Sequence, residues 1–240
     1  MKKEDFYKEM QEKGSKMNII FSVEQLDKFY RYMELLIEWN EKINLTAITE
    51  PREIILKHFI DSLTILKDIK DGEKIVDVGT GAGFPGIPLS IMNKNIQMFL
   101  VDSLNKRLIF LENVISELNI KNITIVHSRA EDFGKKKEYR ENFDIAVSRA
   151  VANLSTLSEY LIPLIKINGK CLCMKASDTE EEINKAKKAI NVLGGTIKNV
   201  EEFNLPDSDI GRTIITINKE RNTPNKYPRK AGMPSKEPIM

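Results

Sequence analysis

Residue type and spacing first point to chemistry in Val76-Asp77-Val78-Gly79-Thr80-Gly81-Ala82-Gly83-Phe84-Pro85-Gly86. Glycines at alternate positions after an apolar run let the backbone turn sharply and let a ligand approach to van der Waals contact. The loop lacks the Gly-Lys-Ser/Thr end of a phosphate-binding P-loop. It reads G-x-G-x-G, with Phe84 where the dinucleotide fingerprint has its third glycine. Both phosphate readings weaken. Asp102, 25 residues after Asp77, is placed to accept hydrogen bonds from both hydroxyls of a ribose. Capping of the following helix is the alternative role, and the two are compatible. Ser128-Arg129-Ala130-Glu131-Asp132 ends a later apolar run, where Ala130 and Glu131 could offer backbone or carboxylate groups to a purine ring.

Weaker signals accompany these. Lys57-His58-Phe59-Ile60-Asp61-Ser62-Leu63 puts His58 and Asp61 one helical turn apart, able to interact and to face a cleft, but two residues are too few for a metal. His58 reads as a packed or capping residue, His127 as structural, and Trp39 as core. Cys171 and Cys173 point to one face of a strand, too close for an ordinary disulfide, and read as buried thiols.

An α/β frame must position these groups. From Glu4 to about Leu66 the pattern is helical, with Leu26, Phe29, Tyr30, Met33, Leu36 and Ile37 three and four apart and Ser22 as a candidate N-cap. After Asp71-Gly72, strands are expected at Lys74 to Val78, Ile96 to Val101, Ile123 to His127, Phe143 to Ser148 and Gly169 to Lys175. Helices are expected through Leu104 to Leu118, Leu154 to Ile165 and Glu180 to Leu193, the alternation of βαβ units in a parallel sheet. Ile197 to Phe203 and Arg212 to Asn218 read as a terminal antiparallel hairpin. The expected regions are 1–70, helical; 71–219, catalytic; and 220–240, a tail. From Lys219 onward the chain holds four of its nine prolines and six basic residues against two acidic ones, so an extended basic segment is expected.

Composition sets the outer limits. At 240 residues and 41% hydrophobic, the chain suits one α/β domain with an appendage. No apolar run is long enough to span a membrane and the N-terminus runs into charges, so a soluble, cytoplasmic protein is expected; no metal is expected either, and the oligomeric state is open with a monomer as the first expectation. A net charge of +2 says little about nucleic acid; its distribution says more. Lys106, Arg107, Arg221, Lys226, Arg229 and Lys230 could follow an RNA backbone, and Tyr227 could stack a base.

The D-x-G-x-G-x-G form resembles motif I of class I methyltransferases, whose ligand, S-adenosylmethionine, carries a sulfonium and no phosphate, a cationic ligand that the carboxylate of Asp77 would suit. That resemblance implies a Rossmann-like, mostly parallel seven-stranded sheet. The fourth strand would then run into the methyl-transfer site with Ser148-Arg149-Ala150-Val151-Ala152. This segment lacks the Asn/Asp-Pro-Pro-aromatic set common in enzymes acting on adenine amines, and the Cys needed at pyrimidine C5. Guanine N7 needs neither device, because it offers an in-plane lone pair and no proton. Arg149 is then expected to position rather than to move a proton, with a structural salt bridge as the alternative.

The chain further resembles the bacterial small-subunit (16S) rRNA guanine-N7 methyltransferases of the RsmG or GidB family. The resemblance runs through Glu38 to Thr46, Lys57 to Ser62, Asp77 to Pro88, Asp102-Ser103 with Lys106-Arg107, Ser148-Arg149-Ala150 and Tyr227-Pro228-Arg229-Lys230. It implies 16S rRNA or the small ribosomal subunit as partner. It also implies cofactor contacts at Gly79, Phe84, Ala130, Glu131 and Arg149, with Gly81, Gly83 and Asp102 added by the wider methyltransferase pattern. Two other classes stay open: a non-catalytic RNA-binding protein on this fold, and an NAD(P)-dependent oxidoreductase.

Overall fold

A computed structural model describes every residue except Ala150 and Met240, so the Ser148-Arg149-Ala150 segment is described only through Arg149. The helical N-terminal region opens with α1 (Lys3–Ser15) and α2 (Val23–Ile43). Ser22 does cap α2: its hydroxyl accepts from the Gln25 backbone at 3.2 Å while the Gln25 amide accepts from the Ser22 backbone at 2.9 Å. Asn44 ends α2 in a left-handed conformation, at φ 50°. Asn40 Oδ1 accepts from the backbones of Leu45 and Thr46 at 2.6 and 2.8 Å, so the chain leaves the helix in a tight turn. The next helical stretch is not regular. Pro51–Ile54 (α3) runs into a π-helical turn, Ile55–Ile60, before Asp61–Leu63 (α4) resumes.

Seven strands follow: β1 (Lys74–Val78), β2 (Gln97–Asp102), β3 (Ile123–His127), β4 (Phe143–Arg149), β5 (Ile165–Ala176), β6 (Gly195–Asn204) and β7 (Gly211–Lys219). Their order is β3-β2-β1-β4-β5-β7-β6; the first five in sequence run parallel, and β7 pairs antiparallel with β5 and β6. Crossovers are made by α5 (Gly86–Met92), α6 (Asn105–Glu117), α7 (Ala130–Phe133), α8 (Leu154–Leu161) and α9 (Glu180–Val192). The helix expected to reach Ile165 stops at Leu161, where a 3-10 turn containing Pro163 hands the chain to β5.

Alternate side chains of each strand feed different cores. Ile75, Ile145, Val147, Leu172, Met174 and Ile214 pack beneath α1, α2, α5 and α6. Val76, Val78, Ala146, Cys171, Cys173, Ile215 and Ile217 pack beneath α8 and α9. Both cysteines are free and buried, and burial pushes the Cys173 thiol up to about 12. The parallel order reverses between β2 and β4 at β1, the switch point beside which ligands bind in open α/β sheets.

The tail is not extended. Arg140 donates to the carbonyls of Thr223 and Tyr227 at 2.7 and 2.6 Å, serving backbone that no ladder serves. Arg229 closes a forked pair on the fully buried Glu159, with Nε and Nη2 donating at 3.0 and 2.7 Å. A last turn, α10 (Met233–Lys236), rests on α8, where the Thr156 hydroxyl donates to the Pro234 carbonyl at 2.9 Å. The expected base-stacking role of Tyr227 and phosphate role of Arg229 are therefore corrected: Tyr227 is only 9% exposed, and the Arg229 guanidinium is taken by Glu159. Arg221 donates to the Asn191 carbonyl at 2.8 Å, whereas Lys226 and Lys230 stay exposed. Arg229→Ala strands a buried carboxylate, so it is expected to cost about 3–5 kcal/mol and lower the thermal midpoint by roughly 6 to 20 °C. Adding Glu159→Leu should restore most of that loss in a melting experiment, and an unmoved midpoint would show the tail to be loose.

Candidate active site

The glycine-rich loop leaves β1 and is pulled back against β2, with the Gly79 backbone donating to the Val101 carbonyl at 2.8 Å. Asp77 sits under the loop: one carboxylate oxygen accepts from the Thr80 hydroxyl at 2.7 Å and from the Gly86 backbone at 2.9 Å. It is fully buried and does not line the adjoining cavity, so its expected contact with a cationic ligand is corrected to that of an internal brace. Burial pushes its pKa up to about 7, against the pull of those two hydrogen bonds. Gly83 is corrected likewise. A Cβ there would stand 2.7 Å from the Tyr32 hydroxyl and 2.6 Å from Ile87, so this glycine serves packing. Gly81 faces the cavity at φ +61°, a conformation that glycine adopts without strain.

The cavity occupies about 690 Å³ at the switch point and brings together Gly79, Gly81, Phe84, Asp102, Ala130, Glu131 and Arg149. Asp102, at the end of β2, is buried. Its oxygens accept from Gly81 N at 3.0 Å, Leu104 N at 2.9 Å and Arg107 Nη1 at 3.3 Å. Capping and cavity-facing roles thus coexist, and Arg107 stands on the cavity rim rather than free on the surface, while Lys106 is exposed. The Glu131 carboxylate already accepts from Gly232 N of the tail at 2.7 Å. Tyr160 stands nearby on the same wall, its pKa pushed up to about 12 by burial and by Glu131.

Arg149 forms the opposite wall. Its Nη1 donates to the Lys57 carbonyl at 2.8 Å and to Asp61 Oδ2 at 3.2 Å; Nη2 lies 3.1 Å from His58 Nδ1; and its guanidinium carbon lies 5.0 Å from the Phe84 ring centre. Arg149 makes the salt bridge weighed as its alternative role, and it also lines the cavity. Asp61 is shared, because Arg212 on β7 donates to both its oxygens at 3.1 Å. His58 stacks on Phe84 at 4.5 Å, with Tyr32 on Phe84 at 5.4 Å. His58 and Asp61 converge on Arg149 instead of on each other, a geometry set up at the π turn.

Sequence reasoning passed over Thr46, Arg212, Tyr32 and Tyr160. For Thr46 a signal existed: Asn40 and Asn44 near the end of an amphipathic helix mark a left-handed stop that turns the next residues inward. Nothing local marks Arg212, whose partner is 151 residues away. Among the described residues, no group of three or more His, Cys, Asp or Glu side chains could hold a metal, and no helix is long and apolar enough to cross a membrane.

Two outcomes are expected. Asp102→Ala should lower S-adenosylmethionine affinity at least tenfold by calorimetry. It should also cost about 1–3 kcal/mol of stability, since two backbone donors lose their acceptor. His58 is pushed down to about 3 by burial and by the charge of Arg149. The unfolded chain then takes up the proton first as pH falls, so stability carried by neutral His58 is complete above about 6.5 and is lost from there down to about 3. Asp77 runs the other way, its contribution present at low pH and lost as pH rises from 3.8 through about 7. The stability difference between wild type and His58→Gln isolates the imidazole. It should shift against wild type by up to about 1.4 kcal/mol per pH unit below pH 6, and parallel denaturation curves would show the ring is not held neutral.

The GidB family profile, described as rRNA small subunit methyltransferase G, matches residues 25–210. The ribosomal RNA small subunit methyltransferase G of Geobacillus sp. (strain WCH70) is 52% identical over 236 residues, covering 98% of each chain. That of Acetivibrio thermocellus is 54% identical over 217 residues, covering 90% of this chain and 89% of the relative. Among solved structures, a SAM dependent methyltransferase from Aquifex aeolicus superposes with TM-score 0.53 at 17% identity, covering 70% of this chain and 93% of its own, a likeness of fold. With the family profile spanning most of the chain and relatives above 50% identity over nearly its whole length, the chain belongs to the rRNA small subunit methyltransferase G (GidB) family.

Proposed function

We propose that this protein transfers a methyl group from S-adenosylmethionine to N7 of a guanine in 16S ribosomal RNA. The observation that carries the reading is the proton inventory of the cavity wall beside Phe84. His58 has one ring nitrogen against Arg149 and the other against the Thr46 hydroxyl, 2.9 Å away, and Asp61 lies behind two guanidinium groups. Among the described residues no side chain there is free to take a proton, which suits an acceptor that has none to lose.

The donor set fits the cofactor. A carboxylate at the end of β2, open glycine backbone and an aromatic ring line a cavity of nucleoside-ligand size, and no Gly-Lys-Ser/Thr phosphate cradle is present. Gly79, Gly81, Phe84, Asp102, Ala130, Glu131 and Arg149 would hold it, Asp102 at the ribose and Ala130 with Glu131 at the adenine. When bound, it supplies a methyl carbon whose bond to sulfur breaks as the N7 lone pair forms the new bond, the electron pair returning to sulfur and no proton changing place. The protein's own contribution is orientation of the two reactants, an effect worth on the order of 7 kcal/mol or more. Exposed Lys106, Arg221, Lys226 and Lys230 remain as phosphate contacts for the RNA. The protein works in the cytoplasm on the rRNA or the assembling small subunit.

Incubation with methyl-labelled S-adenosylmethionine and unmethylated small-subunit rRNA, large-subunit rRNA or tRNA, with cleavage at 7-methylguanine, tests this. Label at one small-subunit guanine is expected. Cofactor binding without transfer to rRNA or to the small subunit would favour a non-catalytic RNA-binding role.

A further inference from the structure

We propose that Thr46 recognises the carbonyl at C6 of the target guanine, its hydroxyl held as an outward hydrogen-bond donor by Arg149 acting through His58. The inference rests on guanine N7 being the methyl acceptor. Its basis is the direction of each hydrogen bond in a chain of three side chains.

A guanidinium has only donors, so the contact from Arg149 Nη2 to His58 Nδ1 at 3.1 Å places a lone pair on Nδ1. A neutral imidazole with its lone pair there carries its proton on Nε2. Nε2 lies 2.9 Å from the Thr46 oxygen, so the ring donates and the hydroxyl oxygen accepts. The Ile48 backbone donates to the same oxygen at 3.0 Å. Both lone pairs of that oxygen are thereby engaged. The hydroxyl proton has no acceptor among the described residues, and Thr46 is half-buried on the cavity wall beside His58, Phe84 and Arg149. A hydroxyl that ordinarily both gives and takes is here a donor only. The His58 ring cannot turn over to undo this without setting a proton against the guanidinium, and its stacking on Phe84 keeps it in plane.

A donor of fixed sense discriminates where the chemistry does not. Guanine and adenine both carry a nucleophilic N7, and beside it guanine offers the O6 acceptor while adenine offers an amino donor. The Thr46 hydroxyl attracts the first and meets the second donor to donor. Because positive charge gathers on the purine as N7 is methylated, O6 becomes a poorer acceptor in the transition state. The bond therefore selects and positions the base rather than lowering the barrier to transfer, and its loss falls on KM more than on kcat.

The test uses the full-length protein and small-subunit rRNA carrying guanine, inosine or 2-aminopurine at the methylated position. The last keeps N7 and lacks O6. Wild type should prefer guanine and inosine over 2-aminopurine by about tenfold in kcat/KM. Thr46→Val should lose about tenfold on guanine and inosine, chiefly through KM. Its loss on 2-aminopurine should be much smaller than on guanine, while Thr46→Ser should recover the guanine preference. Equal loss by Thr46→Val on all three bases, or no loss on any, overturns the proposal while leaving N7 methylation standing. If Thr46→Val does not fold, wild type and Thr46→Ser still decide, because a wild type indifferent to O6 overturns it. Absence of any 7-methylguanine from wild type removes the functional reading and this proposal with it.

Discussion

A guanidinium withdrawn from water must find acceptors at short range, and the arrangement around Arg149 follows from that requirement. Desolvation of a charge costs several kcal/mol even after relaxation, so an unpaired Arg149 at the end of β4 would not be tolerated. Its acceptors all come from one short stretch of the N-terminal region: the Lys57 carbonyl, His58 and Asp61. This pairing fastens the helical segment to the carboxyl end of the sheet and brings Asp61 to Arg212 of β7. It also decides which nitrogen of His58 carries the proton. A stability requirement and a chemical polarity are thus met by the same contacts.

The glycine loop is held from two sides. From below, Asp77 gathers the Thr80 hydroxyl and the first turn of α5, so the residue that motif reasoning aims at the ligand instead shapes the backbone that meets it. From above, Tyr32 of α2 donates to the Ala82 carbonyl and packs on Phe84, which in turn carries His58. The hydrophobic cluster beneath runs without a break from Phe6 of α1 to Ile214 of β7. Residues 1–70 therefore share a core with the sheet and form a wall of the cavity that the sheet alone would leave open.

The C-terminal segment closes the other side. Its prolines limit the freedom of the chain before folding, and Arg140 and Glu159 supply donors and acceptors for backbone outside any regular element. Gly232 reaches Glu131 on the cavity wall, so the tail bears directly on the candidate site. The cations left exposed after this packing are fewer than the charge count of the segment suggests. Lys226 and Lys230 face solvent, Arg221 is exposed while donating to the Asn191 carbonyl, and Arg229 is engaged with the body of the protein.

What the sequence determined by itself is whatever depends on neighbours in the chain. The five parallel strands and the hairpin follow from short apolar runs, the capping of α2 from Ser22 and Gln25, and the glycine loop from its alternate spacing. Asp102 and Arg149 could be placed in the site because each ends a strand at the switch-point edge. The tertiary structure alone decided whatever depends on desolvation and on partners far along the chain. It turned Asp77 and Gly83 inward, where a carboxylate and a missing Cβ serve packing. It buried Tyr227 and joined Arg229 to Glu159, 70 residues away, because a buried carboxylate outbids solvent for a nearby guanidinium. It also brought Thr46, His58 and Asp61 to Arg149 across the sheet edge. Periodicity encodes which face of an element is apolar, but the direction of a hydrogen bond between two elements is set only when both have lost water and each group must find its complement.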